Sequence, residues 1–446
     1  MQDLVIDVSR LVGRRLKHRL PTGIDRVALA YLRHYGNRAR AAITVGSRAV
    51  VLQERSSRRL FERLLDPTAE SSFLRTLILG ALHSPIHRST TRGWFLNTGH
   101  TGLHRPSYGT MLDKLGLRPL FVIHDLIPIT HPQFCRAPEA ARHNDRMTCA
   151  LRHGAAIVCN SHSTFESLED FGQRIGMRLP PVAVAPLATE PLTEAQAAAA
   201  MARSPLDKRY FLMLGTIEPR KNHLLVLQVW QRLIDRLGSA TPHLVLIGQK
   251  GWECEHVMRM LERTPRLREH VLWIDACEDH QLHAWMANAR ALLFPSFAEG
   301  FGLPVVEALQ LGVPVLAADL PVFREFAGDL PEYLDPLDAN GWLATVFDYQ
   351  RPDSRQRERK IESLASYRAP TWEAHFAAVD DLIRRVDGRS AAAISLATEA
   401  PPTAVTSLNA LGDKAPRLGA ASKPASPASF PALPPSASSS MERDLA

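Results

Sequence analysis

The sequence predicts an α/β protein made of two doubly wound parallel-sheet domains in tandem. Three observations predict it. Short apolar runs such as Leu120-Phe121-Val122-Ile123 end abruptly in polar residues, as buried parallel strands do. These runs alternate with segments of helical periodicity. The whole pattern then restarts after an alanine-rich stretch, Ala195 to Ala202. At 446 residues the chain is too long for one ordinary core, and two domains of about 150 to 200 residues each are the natural expectation.

Taken in order, Leu4-Val5-Ile6-Asp7-Val8 reads as a first strand, followed by a basic connection. Thr22-Gly23-Ile24 leads into a helix whose apolar positions include Val27, Tyr31 and Leu32. Leu120 to Ile123 is a buried strand delivering His124 and Asp125 at its end, and Ala155 to Cys159 is another, with Asn160 or Ser161 able to cap the next helix. After the alanine-rich linker, Phe211 to Leu214 is a strand ending at Gly215; Leu224, Leu227, Trp230, Leu233 and Leu237 mark one face of the helix that follows. Strands are expected at His243 to Ile247, Val271 to Ile274, Ala291 to Phe294 and Val313 to Ala317, with Pro314 at the first residue of the last. A helix is expected to begin at Asp279 or His280, and an amphipathic helix to span Trp372 to Arg385. The domains are then 1–195 and 205–370, with a helix over 371–388 packing back toward the first domain. From Arg389 onward Ala, Pro and Ser dominate, and 389–446 is expected to be a disordered tail.

Composition narrows the function. Hydrophobic residues at 45% and charged residues at 22% fit a globular chain rather than a disordered one. No apolar run approaches the roughly 20 residues that span a bilayer, and the opening Met-Gln-Asp-Leu lacks the basic start of a secretory leader. The expected location is the cytoplasm. Five cysteines without C-x-x-C spacing argue against a disulfide framework or a structural zinc site. The net charge of +7 favours a polyanionic partner without naming it. No nucleic-acid module accompanies the charge, so nucleic acid is not expected as a partner. Arg55 to Leu65 followed by Leu74 to Leu82 places arginines and leucines at helical spacing. A surface helix with its apolar face in the core explains that pattern, and docking to an anionic inner leaflet is the sharper alternative.

The most informative stretch is Phe294-Pro-Ser-Phe-Ala-Glu299-Gly300-Phe301-Gly302-Leu303-Pro304-Val-Val-Glu307. A buried strand ends, a loop with two glycines enters a helix near Pro304, and Gly312 stops that helix. The glycines let backbone N–H groups approach a ligand, and the helix start favours an anion. Glu299 and Glu307 flank the element, where carboxylates can accept bonds from sugar and ribose hydroxyls. Both acids also have a bland reading as ordinary loop and helix residues; the glycines and proline between them argue for a site. Gly215 ends another strand, and the adjacent Arg220 and Lys221 are placed to neutralise a diphosphate. Lys250, beside Gly248 and Gly251, follows the next strand in the same way. Ser161-His162-Ser163 invites a hydrolase reading, but no G-x-S-x-G elbow is present.

Glu299-Gly-Phe-Gly-Leu-Pro-x-x-Glu307, followed by Ala308-x-x-x-Gly312-x-Pro314-Val315, resembles the hallmark of the donor domain of retaining GT-B glycosyltransferases of family GT4. The resemblance covers about 205 to 385 strongly. Phe121-Val-Ile-His124-Asp125-Leu-Ile-Pro128 and Thr22-Gly23-Ile24-Asp25-Arg26-Val27 are similar to family segments in the first half, although the glycine after the first strand is single where many members have a pair. By motif the chain looks most like bacterial mannosyltransferases of surface polysaccharide synthesis.

The resemblance implies two Rossmann-like domains facing across a cleft, the first binding acceptor and the second the nucleotide-sugar. It implies that Glu299 holds the donor sugar and Glu307 the ribose, with Arg220 and Lys221 on the diphosphate. The backbone of Phe301 to Leu303, with Gly300, would touch sugar and phosphate, while Gly23, Gly215 and Lys250 would line the donor site and His124 would reach the sugar from the first domain. No metal or other cofactor is implied, and no D-x-D motif stands near a strand end. A hexose, first mannose from GDP-mannose and next a UDP- or dTDP-sugar, is the implied donor group. A lipid-linked oligosaccharide or lipopolysaccharide-type glycan is the implied acceptor, which would place the protein peripherally on the inner membrane face. An epimerase-like protein on the same scaffold, or a non-catalytic sugar-binding scaffold, remains the alternative.

Overall fold

The computed structural model describes residues 3–19, 21–46, 48–66 and 93–399. The expected leucines at 74–82 and residues 400–446 of the Ala/Pro/Ser-rich stretch lie outside the described residues. Two sheets form one compact body, Met1–Ile394.

The first sheet holds β1 (Leu4–Asp7), β2 (Ala39–Val45), β3 (Arg48–Val51), β4 (Trp94–Asn97), β5 (Arg118–Ile123), β6 (Ala156–Cys159) and β7 (Val182–Val184), in the order β3-β2-β1-β4-β5-β6-β7. All pairings are parallel except β2 with β3. The second holds β8 (Tyr210–Leu214), β9 (His243–Ile247), β10 (Val271–Ile274), β11 (Leu292–Phe294), β12 (Val315–Ala318) and β13 (Glu332–Leu334), in the order β10-β9-β8-β11-β12-β13, parallel throughout. In each sheet the winding reverses at the first strand of that half, between β1 and β4 and between β8 and β11. A crevice opens beyond the carboxyl ends of the strands at such a switch point. Pro314 stands just before β12 rather than within it, where its carbonyl accepts from Leu292 N at 2.9 Å. A proline thus supplies an acceptor at the sheet margin, where its missing N–H costs nothing.

The alanine-rich stretch is a helix, Glu194–Ala202, opened by a capping box between Thr193 and Gln196. It lies against the second half, with Ala200 O accepting from Asn288 Nδ2 at 2.8 Å. The last helix, expected over 371–388, runs Trp372–Glu399. Its buried face of Phe376, Val379, Leu382 and Val386 covers the first half. Tyr31 meets His375 at 3.0 Å and Tyr35 donates to Asp380 at 2.9 Å, and His375 also reaches the carbonyls of Ala185 and Pro186.

The helix Gly23–Tyr35 begins at the cleft edge of the first sheet. Thr22 and Asp25 form its capping box, with Thr22 N donating to Asp25 at 2.7 Å. Asp25 is buried and accepts from both Arg10 and Arg14 at 2.8 Å. Asp25→Ala would leave two guanidinium groups without their shared anion and undo the cap, a loss of about 3 kcal/mol. We expect a lower denaturant midpoint from this substitution and little change from Asp113→Ala, an exposed-helix control; equal midpoints would remove the cluster as the anchor of this helix.

Candidate active site

The glycine loop between β11 and the helix Leu303–Gln310 is shaped by its two glycines. Gly302 has φ +107°, a left-handed value that glycine tolerates, and a Cβ there would meet Phe323 at 2.7 Å. At Gly300 a Cβ would lie 2.3 Å from the carbonyl oxygen of His124. The loop of the second half therefore touches the end of β5 in the first half backbone to backbone.

Glu299, 8% exposed, accepts from Arg220 Nη1 at 2.8 Å and from Lys221 Nζ at 2.5 Å. Arg220 Nη2 also binds Glu218 at 2.7 Å, and its Nη1 donates to Ala298 O at 2.5 Å. The loop 216–222 and the glycine loop are knitted further by Phe297 N donating to Arg220 O at 2.9 Å. Asn222, at φ +60°, donates to the carbonyls of Pro295 and Pro336. Gly215 closes β8 at φ +135°, where a Cβ would stand 3.2 Å from Lys221 Cε.

The charges answer to one another. Burial would raise the Glu299 carboxyl, but Arg220 and Lys221 outweigh it and hold it at about 2. Burial lowers Lys221 below the ordinary lysine value, with Glu299 opposing. Burial likewise acts to lower Arg220, yet Glu299 and Glu218 raise it. Burial raises Glu218, against the pull of Arg220. The cluster is thus two cations and two anions. Lys221 spends one of its three donor positions on Glu299, and the amides opening the helix Leu303–Gln310 add further donors for an anion.

The other residues named from the sequence fall into two groups. Gly300, Phe301, Gly302 and Leu303 share the loop with Glu299, and Gly23 begins its helix opposite Leu303, 3.8 Å from where its own Cβ would stand. His124 ends β5, buried, with Nε2 2.7 Å from Thr98 O; burial lowers its pKa, so it is neutral near pH 7. Glu307 stands in the same helix as Leu303 but is held by Arg26 of the first half at 2.6 Å. Lys250 lies apart, exposed, with its ammonium 5.0 Å from the Trp273 ring centroid.

Sequence reasoning missed Glu218 as the second anion and gave Arg26 and Asp279 no role. Arg26 stood inside a quoted motif, but only tertiary contact shows its reach. Ser161-His162-Ser163 proves to be a seam between the halves. Ser161 and Thr164 donate to Gly300 O at 3.3 and 3.4 Å, and Asn160 donates to His124 O at 2.9 Å. Glu325 accepts from the amides of His162 and Ser163 at 2.7 and 2.8 Å. Among the described residues no group of three or more His, Cys, Asp or Glu side chains is arranged to hold a metal ion.

Residues 196–350 match the family model described as Glycosyl transferases group 1. Over 275 residues the chain is 30% identical to the serotype-specific mannosyltransferase WbdA of Escherichia coli, covering 56% of this chain and 33% of that protein. Over 164 residues it is 34% identical to the O-antigen chain mannosyltransferase B of Escherichia coli, covering 37% of this chain and 42% of that one. The chain thus spans a third to two-fifths of the length of these relatives. Among solved structures it is similar to Anabaena HepE in complex with UDP and glucose, at 14% identity and a TM-score of 0.57 over 89% of this chain and 100% of that one. Sucrose-phosphate synthase from Thermosynechococcus elongatus gives 14% identity and a TM-score of 0.56 over 87% and 100%. At that identity the likeness speaks for the fold, which is GT-B.

Glu299→Gln removes the anion shared by Arg220 and Lys221, and at neutral pH we expect a loss of about 3 kcal/mol. A depressed carboxyl stabilises fully above its unfolded value, near 4.5, and loses that contribution as pH falls toward about 2. Denaturant midpoints of wild type and variant should therefore converge over that window. A gap that stays constant with pH would remove the ion pairs as its cause.

Proposed function

We propose, from the match of residues 196–350 to the glycosyl transferases group 1 model, that the protein transfers a hexose from a nucleotide-sugar, with retention, to a glycan acceptor of surface polysaccharide assembly. The observation that carries the reading is the Glu299–Arg220–Lys221 cluster, seated on the glycine loop where the two halves meet. Glu299 accepts from hydroxyls of the donor sugar and Glu307 from the ribose. Lys221 and Arg220 share their remaining donor capacity with the diphosphate, and the amides from Phe301 to Leu303 complete its surroundings. His124, neutral and fixed by Thr98, presents its ring from the acceptor half. The cations take the electrostatic part that a metal takes elsewhere, so the reaction needs none.

The mechanism is a front-face substitution in which the leaving phosphate accepts the acceptor's proton while charge develops on the sugar ring. Mannose from GDP-mannose is the first donor, supported by the names of the relatives, which include O-antigen mannosyltransferases. The acceptor is a lipid-linked oligosaccharide or lipopolysaccharide-type glycan, supported by the same names. Among the described residues no helix is long and apolar enough to cross a membrane. The helix Glu54–Leu65 turns Leu60, Phe61 and Leu64 inward and leaves Arg55, Arg58 and Arg59 exposed. Those arginines supply the approach to an anionic leaflet, and failure to bind phosphatidylglycerol vesicles at low salt would remove that part of the reading.

Thermal unfolding of the full chain with GDP, UDP, dTDP and ADP tests the donor site. One diphosphate should raise the wild-type Tm, and raise it less in Glu307→Ala; no shift with any of the four would sink the donor site. With the donor so named, Arg220→Ala should lower kcat by about a hundredfold or more, with a smaller change in donor KM. An unchanged kcat would end the leaving-group role.

A further inference from the structure

Arg26 has no part in the reaction as described above, yet its guanidinium lies between two carboxylates of the opposite half. Nη1 stands 2.6 Å from Glu307 and Nη2 stands 2.8 Å from Asp279. One planar cation thereby joins the helix Gly23–Tyr35 to the helices Asp279–Ala287 and Leu303–Gln310. Its root is rigid, because the preceding residue, Asp25, is buried, capped onto Thr22 and gripped by Arg10 and Arg14. The two acceptors differ in setting: the Glu307 side chain is 11% exposed and that of Asp279 is 75% exposed.

A carboxylate that accepts from a ribose diol must be both ionised and aimed. Burial pushes the Glu307 carboxyl up and nearby Asp279 pushes the same way, while Arg26 opposes them. His283 lies on the same helix as Asp279 and within the field of both Asp279 and Arg26. Arg26 bonds Oε1 of Glu307, and Oε2 makes no hydrogen bond to the described residues, so one oxygen is held while the other is uncommitted. A forked guanidinium suits this, since it fixes direction as well as charge.

We propose that Arg26 is a positioning residue for the donor: reaching across from the first half, it aims Glu307 at the ribose diol and balances its charge, which ties nucleotide affinity to closure of the two halves. This rests on the ribose role given to Glu307 above.

The test uses the full chain and whichever of GDP, UDP, dTDP and ADP raises the wild-type Tm most, with Kd measured by calorimetry. Arg26→Ala should weaken binding about tenfold at pH 7, and Arg26→Lys should recover part of it, returning charge without the fork. At saturating donor kcat should hold while donor KM rises. Without Arg26 the carboxyl ionises only at higher pH, so the affinity of Arg26→Ala should recover as pH rises, where wild type changes less. The double variant Arg26→Ala with Glu307→Ala should bind no more weakly than Glu307→Ala alone.

If Glu307→Ala weakens binding while Arg26→Ala stays within about twofold of wild type, or loses affinity equally at every pH, the proposal is overturned and the ribose role stands. If Glu307→Ala leaves affinity unchanged, the ribose role itself falls and takes the proposal with it. Should Arg26→Ala fail to fold, Arg26→Lys carries the comparison, and wild-type affinity in that variant would overturn the need for the fork.

Discussion

Four charged side chains, Glu218, Arg220, Lys221 and Glu299, are withdrawn from water at one place, and that withdrawal dictates the geometry around it. An ion taken out of water alone costs several kcal/mol, and only well-made pairs offset it. The pairs in turn require that two loops from different strand ends keep a fixed spacing. Asn222 provides much of that by adopting a left-handed backbone and tying two carbonyls, from Pro295 and Pro336. Such a cluster meets an incoming diphosphate as a near-neutral unit whose hydrogen bonds are redistributed, not as two bare cations. Preorganisation of this kind spares the site a rearrangement at the moment charge develops.

Much of the architecture was legible because parallel strands buried on both faces read as unbroken apolar runs. β5, β6, β8 and β9 are examples. The glycine loop was legible for a different reason, since Gly302 and Pro304 carry conformational demands that few other residues meet. Less legible was β2, whose Ala39, Ala41 and Ala42 bury little surface and give a weak pattern, and β3, a four-residue edge strand paired antiparallel. Periodicity also says nothing of partners far apart in the chain. The expectation for Glu307 named the ribose but no cation, because Arg26 lies 281 positions away.

The seam between the halves shows what a glycine without an unusual backbone can do. Gly300 owes its identity to the nearness of His124 O rather than to its own torsion angles. Around that contact, Ser161 and Thr164 donate to one carbonyl, and Asn160 donates to the other. Beside these polar contacts Phe134 of the first half stacks on Phe297 of the second, ring centroids 5.0 Å apart, so the joint combines short polar bonds with an aromatic contact. A ligand bound at the glycine loop therefore lies beside the joint that would have to move.

The return of the last helix onto the first half has a mechanical meaning. The chain passes from one half to the other near Pro186 and comes back before Trp372, with His375 binding the carbonyls of Ala185 and Pro186 at the point of departure. Two crossings side by side behave as a pair of pins on a door. They leave rotation about the line joining them and resist twisting and sliding apart. A single tether would permit all three. The same arrangement means that the first half is not one continuous piece of sequence, whereas the second is. Any exchange of acceptor-side halves between related chains must carry the segment from Trp372 along with residues that precede it by more than 180 positions.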